Sequence, residues 1–196
     1  MGKKIMILSG SPRKNGNTNT VVKWFVEGCK NTEADVEQID AARLKSKNNG
    51  CIACLGCQKS DRYECAVDDE IKPVLARMPE KDVVVFATPV YFFGPSAQLK
   101  LLIDRMYSLI KFDPAAGGYS HNLGHLKWGL IATAGGDINP GLSLVEQVFK
   151  TSVGFIGSEL ESLLIPFASM YNDDIKQNAE LRERAMAFGR KLSATE

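Results

Sequence analysis

The run Asp82-Val83-Val84-Val85-Phe86-Ala87 constrains the fold more than any other stretch of the 196 residues. It is apolar and β-branched without alternation, so as a strand it has to be covered on both faces, which calls for helices above and below a sheet. Lys4-Ile5-Met6-Ile7-Leu8 reads as an earlier strand of the same kind, ended by Ser9-Gly10-Ser11-Pro12. Residues 35–40, with Val36 and Ile39, form a weaker second strand, and 127–133 and 161–167 a fourth and a fifth. Helix-like segments fill the intervals at 18–30, 68–78, 96–109, 141–153 and 173–192. This alternation predicts an α/β sandwich of three layers around a parallel sheet, and five strands suit the doubly wound order 2-1-3-4-5. Residues 112–126, rich in Gly, His and Asn, are expected to be irregular. One domain over 1–196 is expected, with the stretch 51–65 as an inserted loop.

Charge narrows the function classes. A formal net charge of +1 gives no bulk attraction to nucleic acid or to acidic lipid, so neither is an expected partner. No stretch approaches the ~18 apolar residues of a membrane span. The first apolar run is too short for a secretory leader and reads as a strand. Five cysteines without such a leader point to a reducing cytoplasm, where metal or redox chemistry outranks disulfides.

Ser9-Gly10-Ser11-Pro12-Arg13-Lys14-Asn15-Gly16-Asn17-Thr18 falls between the first strand and the first helix, at the carboxyl edge of the sheet where doubly wound folds bind ligands. Hydroxyls, a guanidinium and helix N-terminal amides suit a phosphate, with Thr18 as the expected cap. The loop is neither a P-loop nor a G-x-G-x-x-G fingerprint. Thr88-Pro89-Val90-Tyr91-Phe92-Phe93-Gly94-Pro95 is expected to be a loop offering a flat apolar slot and backbone donors. In Thr133-Ala134-Gly135-Gly136-Asp137, glycine lets the backbone approach a ligand closely.

Gly10-Ser11-Pro12-Arg13 with Gly16-Asn17-Thr18, then Thr88-Pro89-Val90-Tyr91 and Gly94-Pro95-Ser96, resembles the NADPH-dependent FMN reductase and iron–sulfur flavoprotein family. The resemblance runs to about residue 136 and rests on three separated motifs in order. It implies a flavodoxin-like fold and FMN as cofactor. It implies that Ser9, Ser11, Arg13, Asn17 and Thr18 hold the FMN phosphate. Pro89, Val90, Tyr91, Phe92 and Phe93 then lie along the isoalloxazine ring, approached also by Thr133, Ala134, Gly135 and Gly136. The flavin would carry the chemistry, with no catalytic side chain, and NAD(P)H or a ferredoxin would donate electrons.

Cys51, Cys54, Cys57 and Cys65 follow the spacing C-x-x-C-x-x-C-x7-C. Four thiolates suit zinc or an iron–sulfur cluster, and the first three copy the bacterial ferredoxin run. The fourth departs from it, since Ala66 rather than proline follows. Zinc more often takes two pairs separated by a longer spacer, and free thiols are the third reading. The resemblance to iron–sulfur flavoproteins implies a [4Fe–4S] cluster. The cysteine loop leaves the second strand while the ring loops leave the third and fourth. A cluster is therefore expected to reach the flavin of a partner subunit, in a homodimer or higher homo-oligomer.

His121 and His125, four apart, could share a helix face, Asp68 and Asp69 are expected to cap the following helix, and Cys29 to be a buried small hydrophobe. The leading expectation is an FMN-dependent oxidoreductase bearing the cluster. Its rivals are a cluster-free NAD(P)H:FMN or quinone reductase, and a non-catalytic flavin-binding or zinc-stabilised module.

Overall fold

The structure, a computed structural model, describes residues 2–115, 117–168 and 174–195. Among the described residues, eight strands follow in chain order: β1 (Lys4–Ser9), β2 (Asp35–Asp40), β3 (Val83–Tyr91), β4 (Gly94–Pro95), β5 (Ile110–Asp113), β6 (Gly118–His121), β7 (Lys127–Thr133) and β8 (Leu160–Ile165). The helices are α1 (Asn17–Cys29), α2 (Ile71–Arg77), α3 (Ala97–Arg105), α4 (Ser143–Phe155), α5 (Asp174–Gln177) and α6 (Ala179–Ser193). The central sheet runs β2-β1-β3-β7-β8, all parallel. Counted over these five strands, the order is the expected 2-1-3-4-5 of the flavodoxin-like fold.

Each central strand divides its side chains between two cores. Met6, Leu8, Val84, Phe86, Trp128 and Leu130 face the layer of α2, α3 and α4. Ile5, Ile7, Val83, Val85 and Ile131 face α1 and α6. This is the period-2 consequence of an apolar strand covered twice. On the second face α1 and α6 meet almost backbone to backbone. A Cβ on Gly28 would stand 2.1 Å from the Met186 carbonyl oxygen, and one on Gly189 2.2 Å from that of Phe25. Cys29 is buried there, as expected, and burial pushes its thiol up to about 11 against a weaker opposing hydrogen bond from Ser193.

Several elements differ from the sequence-based expectations. β3 continues through Tyr91 and returns as β4, so 88–95 is a strand and tight hairpin rather than a loop. Phe92 and Phe93 form its tip, both at positive φ (46° and 65°), the backbone that a two-residue turn of this twist requires. The stretch 112–126 is not irregular throughout, because β5 and β6 pair as a separate antiparallel hairpin. His121 and His125 share no helix: His121 sits in β6 and accepts from the Leu123 amide, while His125 contacts the Lys81 carbonyl. The last helix is two pieces, α5 and α6, with Asn178 capping the second through the Leu181 amide at 2.9 Å. Residue 173, where that helix was expected to start, lies outside the described residues. No helix among the described residues is long and apolar enough to cross a membrane.

Candidate functional site

The loops after β1, β3 and β7 open on one edge of the sheet and enclose a cavity of about 310 Å³. Buried side chains pin this edge. Ser96 Oγ caps α3 by accepting from the Leu99 amide (3.4 Å) and donates to the Gly10 carbonyl at 2.7 Å. The Ser96 amide donates to Thr88 Oγ1 at 2.9 Å. The first loop, the end of β3 and α3 are thus one hydrogen-bonded unit. Across the cavity, Thr18 and Thr133 share a buried hydroxyl–hydroxyl bond of 2.8 Å, and Asn17 Nδ2 donates to the Ala168 carbonyl at 2.9 Å.

Ten sequence-predicted residues line this cavity: Ser11, Arg13, Asn17, Thr18, Pro89, Val90, Tyr91, Thr133, Ala134 and Gly135. Four do not. Ser9 Oγ donates to Asn19 Oδ1 at 2.6 Å and belongs to a neighbouring cleft. Phe92 and Phe93 are 97% and 54% exposed at the hairpin tip, turned away because a two-residue turn projects outward. Gly136 lies just beyond the lining, where its carbonyl accepts from the Phe167 amide. Gly16, quoted in the first-loop motif but given no site role, and Ala168, not singled out, also line the cavity. Gly16 could have been found as the helix cap; Ala168 carries no sequence signal, since it arrives by the turn after β8.

Thr18 is not the cap of α1. Gly16 is, with no side-chain cap and no acidic residue in the first turn, so the positive end of the helix dipole is left to a ligand anion. Thr18 is instead spent on Thr133. Arg13 stands exposed at the rim, its carbonyl held by Gly16 and Asn19 at 2.9 and 3.1 Å. On the opposite side Pro89, Val90 and Tyr91 offer an apolar wall, and a Cβ on Gly135 or Gly136 would meet open space. Phosphate recognition at one end and a flat apolar slot at the other suit FMN. Among the described residues, Arg13 and Tyr91 are the ionisable side chains in the lining.

A second, much tighter concavity gathers all four loop cysteines, Cys51, Cys54, Cys57 and Cys65, against Arg105 and Ser108. Cys51 and Cys54 are exposed, Cys57 and Cys65 buried. Gly50, Ala53 and Leu55 all take positive φ, and two of these are non-glycine residues held at a cost of ~1–3 kcal/mol each. Gln58 clamps the loop onto β5, donating to the Ile110 carbonyl at 2.9 Å and accepting from the Phe112 amide at 3.1 Å. Its Nε2 also approaches Cys57 Sγ at 3.5 Å.

Arg105 is 1% exposed and ion-pairs with Asp69 at 2.6 Å, adding a bond to the Val67 carbonyl at 3.0 Å. Burial alone would raise the Asp69 carboxyl, but the Arg105 hydrogen bond and the Lys47 and Ile71 amides hold it at about 2. Glu70, rather than Asp68 or Asp69, is the N-cap of α2; Asp69, just before it, accepts from the Ile71 amide and anchors Arg105 as well. Arg105 Nε and Ser108 Oγ are buried without partners. Unsatisfied donors beside sulfur ligands fit an anionic, sulfur-rich centre. The side chains themselves are not closed on such a centre, since no three His, Cys, Asp or Glu among the described residues are grouped to hold a metal ion.

The family model for NADPH-dependent FMN reductase matches residues 3–186. An iron–sulfur flavoprotein of Methanocaldococcus jannaschii is 36% identical over 102 residues, covering 52% of this chain and 51% of that one. The chain therefore spans about half the length of the iron–sulfur flavoproteins it matches first. A Bacillus subtilis protein, provisionally named an NAD(P)H-dependent FMN-containing oxidoreductase, is 25% identical over 181 residues, 91% of this chain and 92% of that one. Among solved structures, an NAD(P)H:quinone oxidoreductase from Methanothermobacter marburgensis shares the fold over 100% of both chains, with a TM-score of 0.76 and 16% identity.

Proposed function

The chain belongs to the NADPH-dependent FMN reductase family, and from that membership we propose that it is an FMN-dependent oxidoreductase drawing electrons from NAD(P)H or a ferredoxin. The observation that carries the reading is the cavity in which Arg13 and the Gly16-capped end of α1 face the Pro89-Val90-Tyr91 wall. Ser11, Arg13, Asn17 and Thr18 would hold the phosphate, and Pro89, Val90, Tyr91, Ala134 and Gly135 the ring. The bound flavin supplies hydride acceptance and single-electron release. The protein's part is to fix the ring and shield one edge of it from water. Flavin titration of the Arg13→Ala variant tests this: loss of one charge-assisted phosphate contact of ~1.5–3 kcal/mol predicts roughly 10–100-fold weaker FMN binding. Unchanged affinity would contradict the assignment.

The finer reading places a [4Fe–4S] cluster on Cys51, Cys54, Cys57 and Cys65. Their spacing, their shared concavity and the unpaired donors of Arg105 and Ser108 support it. The cluster would store single electrons beside a two-electron cofactor. A homodimer or higher homo-oligomer would bring one subunit's cysteine loop to the other's flavin, and the exposed rings of Phe92 and Phe93 suit such an interface. One observation favours the second reading, a cluster-free reductase: the absence of a grouped ligand set among the described residues. Iron and acid-labile sulfide assays separate the two.

A further inference from the structure

Gln58 meets one edge of β5 with both ends of its carboxamide. Its Nε2 donates to the Ile110 carbonyl at 2.9 Å and its Oε1 accepts from the Phe112 amide at 3.1 Å. A carbonyl and an amide two residues apart on a strand edge are what a neighbouring strand would otherwise engage. These two partners also fix which way the carboxamide points, since a carbonyl needs its nitrogen and an amide its oxygen. The nitrogen carries a second proton, and it stands 3.5 Å from Cys57 Sγ, a hydrogen-bonding distance for the larger sulfur atom.

We propose that Gln58 is a positioning residue that donates to the Cys57 sulfur and lets the β5–β6 hairpin set the reduction potential of the centre on the four cysteines. This assignment rests on the [4Fe–4S] reading of the same site and adds to it a tuning residue and the element that holds it.

Further contacts make the hairpin and the loop one unit. The Lys111 ammonium sits on the Cys57 carbonyl and 5.6 Å from the centroid of the Tyr63 ring. Tyr63 and Ser120, in β6, share a hydroxyl–hydroxyl bond of 3.2 Å. Both strands of the hairpin therefore grip the stretch 57–63. Cys57 itself is buried, so its sulfur depends on a protein donor rather than on water. Reduction adds negative charge to sulfur ligands, and an N–H directed at one of them stabilises that charge, which raises the potential. Gln58 is uncharged, so this effect is local to one hydrogen bond.

Gln58→Met keeps the length of the side chain and removes its donor and acceptor. In an anaerobic redox titration at pH 7.5, the variant should be harder to reduce than the wild type. Losing one neutral hydrogen bond predicts a three- to tenfold change in the reduction equilibrium, about 30–60 mV lower at 59 mV per tenfold for one electron. A role confined to holding the loop gives the opposite sign, because a loosened loop admits water, which also stabilises the added charge. A second measurement needs neither the cluster nor that variant. In cluster-free protein with 15N-labelled glutamine, the two Nε2 protons of Gln58, assigned through bonds, should both exchange slowly with solvent. In Cys57→Ala one of them should shift and exchange faster while the other keeps its bond to Ile110. An unchanged or higher potential in Gln58→Met overturns the proposal, as do Nε2 protons that exchange freely or ignore Cys57→Ala. Wild-type protein without iron or sulfide fails the cluster reading, and the exchange measurement then decides the Gln58 contact by itself.

Discussion

At the scale of single residues, the Asp69–Arg105 pair is the most exacting feature of the molecule, with both side chains almost wholly removed from solvent. Asp69 is held at about 2 against an ordinary 3.8, so its folded-state value is depressed. Its contribution is therefore complete above pH 4 and is lost as pH falls toward 2. Discounted for residual solvent screening, it amounts to about 1–2 kcal/mol. Urea midpoints measured between pH 5 and 2 should fall across that window, and the fall should be smaller in Asp69→Asn, with Glu37, also held down by Lys81 and Arg77, supplying part of what remains. Arg105→Leu leaves a buried carboxylate unpaired and should cost ~3–5 kcal/mol. The thiols sort by burial: in cluster-free protein at pH 8, Cys51 and Cys54 should react quickly with a disulfide reagent and Cys29 only on unfolding. Much of the candidate site was legible at this scale because Arg, Ser, Asn and Thr after a buried strand have few structural uses. Phe92 and Phe93 fall outside the cavity lining because composition does not reveal that a strand runs two residues further and turns. The carbonyl of Ala168 was invisible because a backbone atom has no sequence signature.

At the scale of elements, the sheet could be read from the chain because its central strands β1, β3 and β7 are largely apolar runs, a pattern few alternatives satisfy, whereas β2 is polar and partly exposed. The β5–β6 hairpin could not. Its strands are short and mostly exposed, and they are held by Gln58 and by the Lys111 ammonium on the Cys57 carbonyl, contacts to a loop more than fifty residues earlier. The α1–α6 crossing gives a sharp test, because alanine is the better helix former by ~1 kcal/mol yet cannot fit. Gly189→Ala should lower stability by about 1–3 kcal/mol or more in thermal or urea unfolding, since the clash is with backbone rather than a movable side chain. The β3–β4 tip makes an opposite prediction. Replacing Phe92 with Asn and Phe93 with Gly supplies residues suited to positive φ, and should raise the melting temperature of the chain. The same pair of changes should weaken self-association in sedimentation equilibrium if these exposed rings pack on a second copy.

At the scale of the whole molecule, two sites occupy one small α/β sandwich. The flavin cavity sits at the carboxyl edge of β1, β3 and β7, and the cysteine concavity is clamped between the loop after β2 and the end of α3. They share no lining residue, which is what makes a partner subunit part of the account: electrons that enter at one site need a short route to the other. A net charge of +1 gives the molecule little long-range steering of any charged partner. The measurement that tests this account most directly is a visible spectrum of anaerobically purified protein, taken with iron, acid-labile sulfide and flavin assays on the same sample. The account predicts one FMN per chain together with about four iron and four sulfide, the content of one [4Fe–4S] centre. A yellow protein with stoichiometric flavin and no iron or sulfide would contradict it, leaving a simple flavin reductase whose four cysteines serve some other end.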